Sequence, residues 1–331
     1  MLRSTNHLRH IFYACSFSML IYLVVFSLIL KLPLTTGLTH QYYLKKLSYA
    51  SGLKSPKIVL FAGSNGLFSH RCETMASILA MPCVNASLHA GLSLDFALMG
   101  LRDYLRKGDI VLLPLEYDQY TQSSFRMVRN VETNNYIVTY QPEWLLRFPP
   151  GRIVRALFSF DFEYFSWSVT EMVFSFAGIE RRYNMNTLTV NGDMKGQTFK
   201  KGLEYRDFIA GLPEPIPDER FFTQQTFDGE REVAKFLLWA DAERITVIGM
   251  LPTIFDDKPV PTAIIDKIRK LFTDNNQRFL MIPGNSQYQR SCFYDTHYHL
   301  NEECQIQHSA LIAHLLQPQV KEILWERQSG L

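Results

Sequence analysis

The chain has 331 residues, 47% hydrophobic and 20% charged, enough for one large domain or two small ones around a sizeable buried core. Its 34 Lys and Arg against 32 Asp and Glu leave a formal charge of +2. The basic residues are scattered rather than blocked, so no electrostatic footprint for a polyanion exists and no nucleic-acid partner is expected.

Residues 1–10 precede an uncharged apolar run from Ile11 to Leu30. About 20 residues rising 1.5 Å each match the roughly 30 Å hydrocarbon core of a bilayer, so residues 11–30 read as a single transmembrane helix. A cleaved signal peptide is the rival, but its apolar region is about 7 to 15 residues long and ends in a small-residue site. The sequence Lys31-Leu32-Pro33-Leu34-Thr35-Thr36-Gly37 offers no such site, and an uncleaved anchor is expected. Arg3 and Arg9 before the run nearly balance Lys31, Lys45 and Lys46 after it. A helix that opens a chain acts as a signal-anchor, which puts residues 1–10 in the cytoplasm and the body outside.

Residues 31–56 are polar and tyrosine-bearing and read as a stalk or short helix. Alternation then begins, and residues 57–325 form the expected domain. Lys57 to Ala62 is a continuous apolar, β-branched strand, Leu67 to Ala80 is helical in spacing, and Cys83 to Ser87 is a second strand. Leu94, Leu98, Leu101 and Leu105 line one face of a helix over residues 92–105, and Lys107-Gly108-Asp109 turns into the strand Ile110 to Leu115, which ends at Glu116. An aromatic-rich insertion occupies about 121–229, with the run Phe158 to Trp167 at its centre. Its aromatics suit a helical pair packed into the core, a lid, a sugar-stacking surface or a membrane contact. Regularity returns with helix 230–242, strand 244–249, helix 262–272, strand 279–282 and a last helix over about 302–316. Strands alternating with helices predict an α/β fold of three layers, with a central parallel sheet covered on both faces.

In such sheets ligands gather beyond the carboxyl ends of the strands. Ser64, Asn85 to Gly91, Glu116 and Pro252 all lie at such ends and are expected to converge. Ser64 sits in Ala62-Gly63-Ser64-Asn65-Gly66, a sharp strand-to-helix turn that exposes its hydroxyl and directs backbone N–H groups at a developing oxyanion. Far along the chain, Asp295-Thr296-His297-Tyr298-His299 supplies a carboxylate and two imidazoles. A histidine takes the serine proton and an aspartate fixes its tautomer. Asp295, His297 and His299 at alternate positions could also ligate zinc, but no cysteine or HExxH-type spacing accompanies them, and neither a metal nor another cofactor is expected.

Five cysteines are present. Cys15 lies in the apolar run, while Cys72 with Cys83 and Cys292 with Cys304 are two locally spaced pairs. They are either two disulfides, the second bracketing Asp295 and His299, or four buried thiols.

The strand leading to Gly63-Ser64-Asn65, the block Asn85-Ala86-Ser87-Leu88-His89-Ala90-Gly91, the Lys107-Gly108-Asp109 turn with its strand ending in Glu116-Tyr117, and Asp295 to Asn301 together resemble the SGNH/GDSL hydrolase superfamily. The resemblance is to its membrane-anchored bacterial branch of polysaccharide O-acetyltransferases and esterases. It covers the two ends of the chain and leaves the middle unmatched. It implies the flavodoxin-like fold of that superfamily behind one transmembrane helix, with Ser64 as nucleophile, Asp295 and His299 completing a triad, and Gly91 contributing to an oxyanion hole. Two departures stand out. The usual Asp-x-x-His spacing would put the base at Tyr298, so the base is His299, preferred, or His297. The third-block asparagine is replaced by Glu116, with Asn85 or Asn285 as substitutes.

The function so implied is serine-dependent acyl transfer or ester hydrolysis, usually of O-acetyl groups, on an envelope or secreted polysaccharide. The protein would be a single-pass protein of the bacterial inner membrane, facing the periplasm or exterior, and would need a membrane partner that carries acyl groups across. A different class of function keeps the fold without catalysis, as an assembly or glycan-binding factor in polysaccharide biosynthesis. A phosphate or nucleotide site at Gly63 to Gly66 lacks both the Walker lysine and the G-x-G-x-x-G spacing.

Overall fold

A computed structural model describes residues 2–31, 35–157, 162–179 and 183–328. Residues 158–161 of the aromatic run, and 32–34 behind the apolar helix, lie outside the described residues. The chain divides into two compact units, residues 1–40 with 128–182, and residues 41–127 with 183–331.

The second unit is built on five parallel strands, β1 (Ile58–Leu60), β2 (Cys83–Asn85), β3 (Ile110–Leu113), β4 (Thr246–Gly249) and β5 (Arg278–Phe279), in spatial order β2-β1-β3-β4-β5. Ile58 pairs with Cys83 on one side and with Ile110 on the other, and Ile110 pairs with Thr246. The strands are continuous runs of Ile, Val and Leu because both faces are covered by helices. Ile58, Leu60, Ile110, Leu112 and Ile248 point to one face and pack with Cys72, Met75, Ile312, Leu316 and Val320 of the helices Cys72–Leu79 and Glu302–Gln328. The opposite face carries Leu94–Leu101, Asp228–Ala242 and Thr262–Thr273. There Gly249 lies so close to Phe272 that a Cβ would stand 2.6 Å from its ring. Below the amino ends of the strands, buried Lys57 forms an ion pair with buried Asp109, whose carboxylate also accepts the Lys57 and Arg106 N–H groups.

The sheet order changes direction between β1 and β3, since the chain leaves β1 for β2 on one side and returns to β3 on the other. That is the switch point at which a crevice opens beyond the strand ends.

Of the stalk or short helix expected over residues 31–56, the helix is observed, Thr35–Gly52, with Tyr42, Tyr43, Lys46 and Ala50 buried. Two expectations need correction. The helix expected over residues 67–80 is two helices, Ser64–Ser69 and Cys72–Leu79. Arg71 between them is extended, and the second helix starts where the distant Asp193 carboxylate accepts the Cys72 and Glu73 N–H groups at 2.9 and 3.3 Å. The last helix runs on to Gln328. Within the stretch read as an insertion over about 121–229, residues 128–182 belong to the first unit and 183–229 to the second.

The first unit contains the helix Leu2–Lys31, longer than the expected anchor, and the helices Val131–Tyr140, Pro150–Leu157 and Phe162–Phe176. Asn130 caps Val131–Tyr140 by accepting the Thr133 N–H at 2.7 Å. His40 stacks on Tyr140 with ring centroids 4.3 Å apart and bonds the Tyr136 hydroxyl at 3.0 Å. Arg152 is buried with its guanidinium 4.1 Å from the centre of the Phe148 ring.

Cys72–Cys83 and Cys292–Cys304 are both disulfides, and Cys15 is free.

Candidate active site

Ser64 opens a helix directly behind β1, and Glu116 stands just beyond the end of β3, on the two sides of the switch point. The Ser64 hydroxyl donates to Glu116 Oε1 at 3.1 Å, and the Asn65 N–H donates to the same oxygen at 2.7 Å. Only glycine at position 63 allows this approach, because a Cβ there would lie 2.7 Å from both Glu116 Oε1 and Ala90 Cβ. The Ala90 loop of the second block therefore rests against the serine turn. Burial, helped by the charge of Asp118, pushes the Glu116 carboxyl up to about 7, while the Asn65 N–H, His299 and the Ser64 hydroxyl act in the opposite sense.

The other half of the site is the Asp295–His299 pair. His299 Nδ1 lies 2.7 Å from Asp295 Oδ1, and Tyr183 donates its hydroxyl to Asp295 Oδ2 at 2.7 Å. The His299 ring, 8% exposed, stacks on Phe68 with centroids 3.9 Å apart and planes 12° from parallel. Its Nε2 is buried and has no hydrogen-bond partner among the described residues. One nitrogen is thus held by a carboxylate while the other is unused, the arrangement of a neutral imidazole able to accept a proton.

The two halves are joined through backbone. Asn65 Nδ2 donates to Thr253 Oγ1 at 2.6 Å and to the carbonyl of Tyr298 at 3.3 Å. Ser69 Oγ donates to the same carbonyl at 2.6 Å and accepts the Leu300 N–H at 3.1 Å. The residue after the serine is therefore bonded to the residue before the histidine, and Glu116 lies within electrostatic range of His299.

A second chain supports the serine turn from beneath. The contacts Tyr288 Oη to His308 Nδ1 (2.7 Å), His308 Nε2 to His70 Nε2 (3.3 Å) and His70 Nδ1 to the Asn65 carbonyl (3.4 Å), the last two buried, admit one neutral assignment. The carbonyl can only accept, so His70 carries its proton on Nδ1, His308 carries its proton on Nε2, and Tyr288 donates. Burial fits this assignment, since it pulls His70 down to about 4 and holds His308 well below its ordinary value.

The structure brings together Ser64 with Glu116, and Asp295 with His299. It uses the other candidates differently. Asn85 is committed beneath the turn, donating to the Gly66 carbonyl at 2.8 Å and to Asp193 Oδ1 at 3.1 Å. The Gly91 N–H turns back onto His89 Nδ1 at 3.0 Å. His297 packs against Tyr298 with ring centroids 4.4 Å apart, and burial pulls it down to about 4. Asn285 sits in the turn Pro283–Ser286 with φ 55°. At the end of β4 the contributing residue is Thr253, the neighbour of Pro252. Sequence reasoning missed Phe68, Ser69, Tyr183 and Thr253. Tyr183 lies in the stretch without legible periodicity, and the others carry no motif.

No protein-family model matches this chain, and comparison with curated proteins found no significant match.

Proposed function

We propose that the protein is a serine-dependent acyltransferase or esterase of the SGNH/GDSL type. The observation that supports this reading best is the buried Asp295–His299 pair with its unused Nε2, tied through Asn65 and Tyr298 to the turn that bears Ser64. The strand order of the sheet suits the flavodoxin-like form of that superfamily.

In this reading Ser64 Oγ attacks the carbonyl carbon of an acyl ester and His299 Nε2 takes the hydroxyl proton. Asp295, braced by Tyr183, holds the imidazolium. Collapse of the tetrahedral species expels the alcohol, which receives the proton from His299 and leaves an acyl-Ser64. Water or a sugar hydroxyl then attacks that ester with His299 again as base. Glu116 holds the Ser64 hydroxyl and the Asn65 N–H in the resting state. Once an acyl group displaces its Oε1, the Asn65 N–H is left to face the oxyanion. The two disulfides and the apolar N-terminal helix suit a bacterial envelope protein facing an oxidising compartment, with a polysaccharide as acceptor and a membrane partner delivering acyl groups.

One observation favours a second reading, a non-catalytic assembly or glycan-binding factor. The Ser64 hydroxyl and the Asn65 N–H are both engaged by one Glu116 oxygen. Labelling with a fluorophosphonate decides between the two. An enzyme labels at Ser64, loses labelling in Ser64→Ala and loses most of it in His299→Ala, whereas a folded protein that does not label is the assembly factor.

A further inference from the structure

Lys46, on the helix Thr35–Gly52, is fully buried and directs its amine at the second block rather than at solvent. Lysine is almost never fully buried, because its ammonium then loses its hydration. Its Nζ donates to the Ser87 carbonyl at 2.5 Å and makes no other hydrogen bond among the described residues. That bond is also the one the Ser87 carbonyl accepts among them. The stem is fixed from its other side by Gly192, where φ is 91° and a Cβ would stand 2.9 Å from Lys46 Cγ and 2.6 Å from the Asn85 carbonyl oxygen. Lys46 forms no ion pair among the described residues. Asp193 attracts it from a distance, but that carboxylate is occupied by the Cys72 and Glu73 N–H groups, Asn85 Nδ2 and Thr189 Oγ1. Burial, opposed by Asp193 and assisted by Lys45, pulls the amine down to about 7. Charged or neutral, it can donate to the carbonyl, so the hydrogen bond rather than the charge is its constant contribution.

Ser87 carries this bond to the serine turn. Its hydroxyl accepts the Ala62 N–H at 3.0 Å, and a Cβ on Gly66 would stand 2.2 Å from that oxygen. Three residues on, Ala90 lies against Gly63, whose other side is closed by Glu116. Ala62 and Gly63 precede Ser64 and Gly66 follows it, so the second block touches the turn on both sides of the nucleophile candidate. Contacts this close leave no slack, and a shift of the Ser87 peptide passes to the turn instead of being absorbed. A displacement of about 1 Å at a reacting group lowers a rate by about a hundredfold. Cohesion alone would need only an apolar side chain here, since a buried amine gives up its hydration and gains no ion pair.

We propose that Lys46 is a positioning residue for Ser64: it holds the Ser87 peptide and, through Ser87 and Ala90, the turn that carries the nucleophile. The helix Thr35–Gly52 is then part of the catalytic scaffold. The inference rests on the reading of Ser64 as an acylated nucleophile.

The test is the concentration dependence of fluorophosphonate labelling in the detergent-solubilised full chain, which separates binding of the probe from the rate at which bound probe reacts. Lys46→Met fills a similar volume and removes the donor. The rate for bound probe should fall about 10- to 100-fold with the half-saturating concentration unchanged. The urea midpoint should stay the same or rise, because no charge has to be desolvated. Tyr49→Phe is the control on the same helix. It removes the bond that Tyr49 Oη accepts from Asn191 Nδ2 at 3.1 Å and should label like the wild type. Should Lys46→Met misfold, Lys46→Ala is assayed with propylamine, whose carbons and nitrogen replace the atoms removed, and saturable recovery of about tenfold is expected. Three outcomes overturn the inference and leave the reading of Ser64 standing: a folded Lys46→Met that labels at the wild-type rate, a loss matched by a fall in urea midpoint, or no recovery with the amine. Folded wild type that does not label overturns both.

Discussion

Glu116 Oε1 accepts both the Ser64 hydroxyl at 3.1 Å and the Asn65 N–H at 2.7 Å, so one buried carboxylate oxygen controls the nucleophile candidate and its neighbouring donor. Burial raises this carboxyl from 4.5 to about 7. The native state therefore holds a proton that the unfolded chain releases between those values, and the contribution of Glu116 to stability falls as pH rises from about 4.5 to 7. The shift corresponds to about 3 kcal/mol at most, using about 1.4 kcal/mol per pKa unit. Glu116→Gln removes the titration. Urea unfolding at pH 5 and pH 8 should show the variant gaining on the wild type by about 2 to 3 kcal/mol at the higher pH, and an unchanged difference would mean that Glu116 is not buried as described.

Tyr183 and Asp295 separate orientation from chemistry. Asp295→Asn leaves the His299 ring with the wrong tautomer partner and should lower fluorophosphonate labelling by about 10³- to 10⁴-fold. Tyr183→Phe removes one hydrogen bond to Oδ2, worth about 1 kcal/mol, and should lower labelling by about fivefold. Equal losses in the two variants would show that Tyr183 supports the fold rather than the pair.

The disulfide Cys292–Cys304 encloses the segment that carries Asp295 and His299, with a sequence separation of 12. Closing a loop of this size stabilises by roughly 3 kcal/mol. Cys292→Ser with Cys304→Ser should lower the urea midpoint accordingly and reduce labelling at a temperature where the remaining fold is intact. Cys72→Ser with Cys83→Ser should lower stability by a similar amount, since its separation is 11, but this bond ties the helix Cys72–Leu79 to β2 and does not enclose the pair.

Gly249, at the end of β4, faces the Phe272 ring at a distance that leaves no room for a methyl group. Gly249→Ala should therefore destabilise by about 1 to 3 kcal/mol through overpacking. Gly249→Ala with Phe272→Leu should recover part of that loss in thermal unfolding. An unaffected single variant would show that the helix Thr262–Thr273 sits further from the sheet.

The apolar helix at the start, the parallel sheet and the serine turn were legible in the sequence because each depends on local order. Runs of Ile, Val and Leu at Ile58–Leu60 and Ile110–Leu113 reveal strands buried on both faces, and Gly63-Ser64-Asn65-Gly66 reveals a tight turn. Tertiary structure alone decided which groups meet. Glu116 took the serine hydroxyl because β1 and β3 are neighbours at the switch point, and Asn85 was drawn under the turn by Asp193, more than a hundred residues away. The break between Ser64–Ser69 and Cys72–Leu79 depends on that same distant carboxylate. Tyr183 and Phe68 frame His299 from segments with no motif, and the aromatic helix Phe162–Phe176 belongs to the unit of the N-terminal helix rather than to that of the sheet. Local sequence fixes backbone conformation through periodicity and turn chemistry, whereas side-chain partners are chosen by contacts between residues far apart in the chain, and no local pattern records those.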